Sequence, residues 1–227
     1  MEPVKLSCAE LTTREINRAL SALPEGSHAR VTAPRGRHNL AVGLTNRITI
    51  DIDGNAGYFI GGLGDGPEIV VDGFVGWSVG ENLMSGTIRV KGNASECAGA
   101  SSHGGTIIIA GDASSRAGIS LKGGNIVTAG DVGHMSGFMA QAGIMLIGGD
   151  AGHALGDSIY EAVIYVAGKV ASLGSDARVE ELAEDDVRAV KELVKLSGFD
   201  HIEPENVTRI ASARELYNFD ALKDQKY

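Results

Sequence analysis

Cysteine and proline are scarce in this 227-residue chain: Cys8 and Cys97 are the only thiols, and there are five prolines. Two cysteines cannot build a disulfide framework or a thiolate metal cluster, so any iron–sulfur cluster would have to belong to a partner. Aromatic residues make up 5% of the chain, and no apolar run reaches the 18 residues that a membrane-spanning helix needs. The first ten residues hold no apolar signal core. Basic side chains are also few, 20 against 29 acidic ones, for a net charge of −9. That balance argues against general nucleic-acid binding, which depends on neutralising phosphates with lysine and arginine. The expectation is a soluble, reduced, cytoplasmic chain that engages neither membrane nor nucleic acid.

Glycine is plentiful instead. Of 32 glycines, 28 fall between residues 48 and 177. Collagen would need glycine at every third position with much proline, and a disordered linker would not carry 43% hydrophobic residues. The glycines recur with a period of 19: Gly54, Gly73, Gly92, Gly111, Gly130, Gly149 and Gly168. A second column, seven residues behind, is Gly61, Gly80, Gly99, Gly118, Gly137 and Gly156. A third, three behind the first, is Gly57, Gly76, Gly133 and Gly152, with Ser95, Ser114 and Ala171 in the gaps. A fourth is Gly86, Gly105, Gly124 and Gly143. Repeats in register at this period mean a solenoid.

Hydrophobic patterning says which kind. The residues four and two before each first-column glycine are Ile50 and Ile52, then Ile69 and Val71, and so on to Ile164 and Val166. This period-2 alternation, rich in β-branched side chains and bounded by glycine, reads as a short strand with one buried face. Two residues after the glycine stands a small apolar residue in every copy, from Ala56 to Val170. No 10-residue helical window survives between the glycines, 19 is not a multiple of six, and the calcium-binding nonapeptide motif is absent. The fold expected is all-β, a right-handed parallel β-helix of about seven 19-residue coils. Its glycines are expected to supply left-handed corners and to let coils approach closely.

Three segments follow: residues 1–47 as an N-terminal helix and short strands, residues 48–177 as the β-helix, and residues 178–227 as a C-terminal helix and tail. Their net charges are +3, −8 and −4. Thr12 and Glu15 fit a capping box ahead of an apolar stripe of Ile16, Ala19, Leu20 and Leu23, ended by Pro24. Short strands are expected over residues 30–32 and 40–44. Glu184, Asp185 and Asp186 suit a helix first turn, and Gly198 suits a C-terminal cap. The outward strand column Asp51, Val70, Arg89, Ile108, Val127, Leu146 and Tyr165 turns apolar in the later coils. Either the C-terminal helix or a partner must cover it, and the availability of one suitable amphipathic helix favours the former.

Candidate chemistry is thin. His134 and His153 occupy one position in successive coils, but two imidazoles fall short of the three or four ligands of a zinc site. Asp112, Asp131 and Asp150 form another column, suited to holding a cation or to capping turn N–H groups. Cys97 reads as a small buried residue. The basic run Arg35, Arg37 and His38 suits an anion site or a docking patch. No nucleophile triad or paired carboxylates stand out, so no catalytic, cofactor-binding or metal-ligating residue is assigned.

The Gly54/Gly57/Gly61 spacing, repeated at Gly73/Gly76/Gly80, Gly130/Gly133/Gly137 and Gly149/Gly152/Gly156, resembles the GXGXG β-helix domain. That domain forms the C-terminal part of the large subunit of glutamate synthase, and similar repeats occur in a formylmethanofuran dehydrogenase subunit. Residues 34–43, 80–86 and 209–219 resemble the stand-alone glutamate-synthase-like subunits, whose best-defined activity is that of N-methylglutamate synthase. The resemblance implies a three-subunit enzyme of methylamine metabolism, converting glutamate and methylamine to N-methylglutamate and ammonia. One implied partner is a class II glutamine amidotransferase-like subunit, and another is an FMN- and iron–sulfur-containing synthase-like subunit. This chain would be the non-catalytic β-helix scaffold between them. The alternatives are a scaffold in another glutamate synthase or amidotransferase complex, or an independent β-helix binding module.

Overall fold

The computed structural model describes residues 2–216. Its elements in chain order are β1 (Val4–Ser7), α1 (Thr13–Ser21), β2 (His28–Thr32), β3 (Thr49–Ile52), β4 (Asp65–Val71), β5 (Ser85–Val90) and β6 (Thr106–Ile109). There follow β7 (Lys122–Thr128), β8 (Ala142–Ile147), β9 (Val163–Val166), β10 (Ala177–Glu180), α2 (Glu184–Ser197) and β11 (Thr208–Ser212). Strands β1 to β9 stack in sequence order, each pair parallel. The chain is a parallel β-solenoid with two flanking helices.

The register is the one the 19-residue period demands. Ile50 pairs with Ile69, then Ile88, Ile107, Ile126, Met145 and Ile164. All seven side chains are buried inside the coil. A second inward line is made by single parallel bridges linking Val75, Ala94, Ala113, Val132, Ala151 and Val170. These small residues face the isoleucine line across a narrow interior, which explains why the position two after each glycine stays small.

The glycine columns divide two tasks between them. From Gly73 to Gly168 the first column needs no left-handed backbone; a Cβ there would strike the side chain or backbone of the preceding coil. The second column, Gly61 to Gly156, does lie at positive φ, between 66° and 71°. The corners on either side of it are left-handed without glycine. Phe59, Ser78, Cys97, Arg116, Met135 and Ala154 form one such column, and Leu63, Asn82, Ser101, Ser120, Met139 and Ser158 the other. Such residues cost roughly 1 kcal/mol each and persist because inter-coil hydrogen bonds over-determine the corner.

The same geometry corrects the strand expected over residues 40–44. Asn39, Ala41 and Gly43 all have positive φ, so this segment is a corner like those that follow, with Leu40 buried between Asn39 and Ala41 and Leu44 buried just after Gly43. Alternating apolar residues report an inward face here, not a strand. Residues 28–32 do form a strand, β2, and with β1 it extends the stack beneath β3.

Both ends of the stack are closed. The Thr12–Glu15 capping box is formed, and α1 seats Ile16 and Leu20 fully inside the core. Asn17 ties α1 to the corner through Asn39 O and Ala41 N, each at 2.8 Å. At the other end β11 pairs antiparallel with β9 and with β10, leaving β10 as the outer edge. Arg178 and Glu180 on β10 form an ion pair, a charged edge that discourages further pairing. Helix α2 ends at Gly198 in the left-handed conformation, and no described helix is long and apolar enough to cross a membrane.

Helix α2 covers the apolar outer strip. Val190 and Leu193 pack on Ile108, Val127, Leu146 and Tyr165, helped by Ile202 and Val207. Arg89, one coil before the strip turns apolar, donates to the carbonyls of Leu196 and Ser197 at the helix C-terminus. It satisfies orphan carbonyls and complements the negative end of the helix dipole. At the opposite end the Tyr165 hydroxyl donates to Asp186, which also accepts from Arg209 at 3.0 Å, while Arg209 pairs with Glu180.

Candidate functional site

The outward residues just after each first-column glycine form a hydrogen-bonded ladder. Oδ1 of Asn55 accepts from Phe74 N, and Oδ1 of Asn93 from Asp112 N. Oδ1 of Asp112 accepts from Asp131 N, that of Asp131 from Asp150 N, and that of Asp150 from Lys169 N, at 2.6–2.9 Å. Each side chain therefore lies over the glycine of the next coil, which is why that position carries no Cβ. Of the two readings open for this aspartate column, the geometry is that of backbone capping.

Three residues further along, a parallel column begins with rings. His38 stacks on Tyr58 at 4.3 Å between centroids, and Tyr58 on Trp77 at 5.2 Å, with interplanar angles of 23° and 12°. His38 Nδ1 accepts from Tyr58 N at 2.9 Å, so its ring is oriented by the backbone of the next coil. The column continues through Glu96, Ser115, His134 and His153. The two late histidines are exposed, their carbonyls accepting from Arg116 N and Met135 N. The His153 ring faces the Ser172 hydroxyl at 3.4 Å. Among the described residues no group of three or more His, Cys, Asp or Glu side chains is placed to hold a metal ion.

Between the two columns runs a floor of small residues, Gly57, Gly76, Ser95, Ser114, Gly133 and Gly152, set close to the preceding coil. From Asn55 to Ser95 this strip forms a groove, a cavity of about 810 Å³ walled by Phe74 on one side and by Tyr58 and Trp77 on the other. These three rings are each about half exposed, Phe74 the most at 52%.

The remaining sequence candidates fall elsewhere. The Arg37 guanidinium donates to the carbonyls of Leu11 and Cys8, so it braces the loop beneath α1 and is not an open anion site. Arg35 is exposed beside a second hollow lined by Pro34, Asp53 and Phe74, which adjoins the head of the groove. Cys97, expected to be buried, is only partly so, at a left-handed corner. Desolvation, then the Glu96 charge, pushes its thiol up, and burial does the same for Cys8 against the pull of Arg37. The two thiols stand on different parts of the stack, Cys8 after β1 and Cys97 at a corner between β5 and β6.

Tyr58 and Trp77 fall one period apart, in the same column as His134 and His153; His38, 20 residues before Tyr58, was hidden by a step one longer than the period. The Tyr165–Asp186–Arg209–Glu180 cluster left no periodic signal at all. Residues 217–219, the end of the third stretch that resembles stand-alone subunits, lie outside the described residues.

No family model matches the chain. It is 46% identical over 217 residues to a protein of Rhizobium meliloti (strain 1021) named Protein GlxC, an alignment covering 94% of this chain and 95% of that one.

Proposed function

The chain belongs to the family of Protein GlxC, and on that premise we propose that it is the non-catalytic structural subunit of a glutamate synthase-like complex. The observation that carries this reading is the use made of the glycine repeats. The spacing that resembles the GXGXG domain serves, column by column, to stack coils at close approach, and the outward side chains of the ladder serve backbone capping. Such a body offers a rigid, elongated surface on which other subunits can be held.

In this reading the complex is most specifically N-methylglutamate synthase, working in the cytoplasm on glutamate and methylamine. An amidotransferase-like subunit and a synthase-like subunit carrying FMN and an iron–sulfur cluster supply the chemistry. The present chain positions them, and its own residues hold no reacting atom. The test is to assay the native complex with glutamate and methylamine against the glutamine- or ammonia-dependent synthesis of glutamate. Preference for methylamine supports the specific reading. Glutamate synthesis alone would move the chain to another glutamate synthase-type complex, and neither activity would overturn the proposal.

A further inference from the structure

The groove at Asn55 to Ser95 is lined by aromatic rings, and the exposed strip that continues from it along the solenoid carries an acidic row. Beyond Phe74 and Trp77, one wall continues as Asn93, Asp112, Asp131 and Asp150, and the other carries Glu96. Each of the three aspartates spends one oxygen on the ladder, and its second oxygen has no partner among the described residues. Stacked one coil apart, at roughly 4.8 Å, the three carboxylates repel one another, and a bound cation relieves that repulsion.

No lysine or arginine stands on either wall from Asn55 to His153. Lys91, beside the aromatic head, is already paired with Asp72 at 3.1 Å, and Arg116 stands one residue outside the wall. Half-exposed tryptophan, tyrosine and phenylalanine around one hollow have the composition of a protein-binding hot spot. A guanidinium also stacks well on an indole face.

We propose that this groove and the acidic strip beyond it dock an extended, arginine-bearing segment of a partner polypeptide, a guanidinium entering between Phe74 and Trp77. The proposal rests on the scaffold reading and names the surface it uses. Charge selects the occupant: an acidic segment meets four carboxylates without a counter-ion, and a neutral apolar one leaves them unpaired.

Trp77 is the only tryptophan, so its emission reports directly on the head of the groove. The probe is an octa-arginine peptide titrated into the full chain, with octa-glutamate as the control. The expected result is a saturable change in Trp77 emission with octa-arginine only. The variant carrying Asp112→Asn, Asp131→Asn and Asp150→Asn keeps the ladder, because Asn55 and Asn93 already make the same bond in it. It is expected to raise the apparent Kd roughly tenfold, and Phe74→Ser is expected to weaken binding separately. An unsaturable response, a response to octa-glutamate, or an unchanged Kd in the triple variant overturns the proposal.

Assembly separates this claim from the one beneath it. The triple variant, in place of the wild-type chain, is expected to lose the synthase-like or amidotransferase-like subunit on purification. If the wild-type chain brings down neither subunit, the scaffold reading fails; if both forms bring them down equally, only the groove assignment fails. Self-association of the wild-type chain that the triple variant abolishes would place a second copy in the groove and overturn the proposal.

Discussion

Gly130 and Gly43 exclude a side chain for opposite reasons. At Gly130 the backbone is ordinary, but an added Cβ would overlap Asp112 Oδ1 and lie 3.1 Å from Gly111 O. At Gly43 nothing lies within 4 Å, and only a φ of 67° stands in the way. Gly130→Ala must therefore displace the Asp112 carboxylate from the ladder and crowd Gly111 O, and is expected to cost about 2–3 kcal/mol. Gly43→Ala should cost only about 1 kcal/mol. Midpoints of chemical unfolding at constant m-value measure both, and equal losses would contradict the division of labour between columns. The ladder makes a companion prediction. Asp131→Asn retains the accepted hydrogen bond and should change stability by less than about 0.5 kcal/mol, whereas Asp131→Ala should cost about 1 kcal/mol. At this scale the sequence was legible wherever a residue recurred. The inward isoleucines, the small residues opposite them and the aspartate column could all be read by counting. The left-handed corners at Phe59 or Arg116 could not, because inter-coil hydrogen bonds impose that conformation on residue types with no preference for it.

Helix α2 was legible as an element through its acidic first turn, apolar stripe and terminal glycine, while the apolar column left the chain's own helix, the favoured cover, and a partner both open. How it is fastened was not legible. Arg89 holds the C-terminal end of the helix, while Tyr165, Asp186 and Arg209 meet at its N-terminal end from three distant positions. Burial opposes ionisation of Asp186, but hydrogen bonds from Tyr165, Ala183 N–H and Arg209 outweigh it and hold the carboxyl below its usual range. Hydrogen bonding from Arg178 and the Arg209 charge do the same for Glu180 against its partial burial. Desolvation, with the bond to Asp186, drives the Tyr165 hydroxyl well above its ordinary value, so it remains a donor. A carboxyl with a lowered folded pKa stabilises the fold above its unfolded value and loses that contribution as pH falls through the folded one. The α2 fastening should thus be intact at neutral pH and weaken below about pH 4. Amide exchange in α2 should accelerate there before exchange in the inner strands does. Asp186→Ala, which leaves the Tyr165 hydroxyl without its acceptor and Arg209 with Glu180 alone, is expected to cost about 2 kcal/mol at neutral pH. A loss of only a few tenths would show that apolar packing alone holds the helix.

As a whole the molecule is a one-dimensional stack, stabilised by each coil against its neighbours and closed at both ends. The number and register of the central coils could be read from the period. A strand at β2 was expected, but β1 and the place of both in the stack could not be read, because the N-terminal segment departs from the 19-residue step and carries no first-column glycine. Its outer surface has one face occupied by α2 and another that carries the aromatic groove and the aspartate ladder. The most direct measurement is purification of the chain, affinity-tagged and expressed in its native cells, followed by subunit identification and a visible absorption spectrum. The account predicts a colourless, inactive chain when isolated, and a flavin and iron–sulfur spectrum only when synthase-like and amidotransferase-like subunits accompany it. A chain that purifies alone and by itself converts glutamate and methylamine, or carries the chromophore, would contradict it.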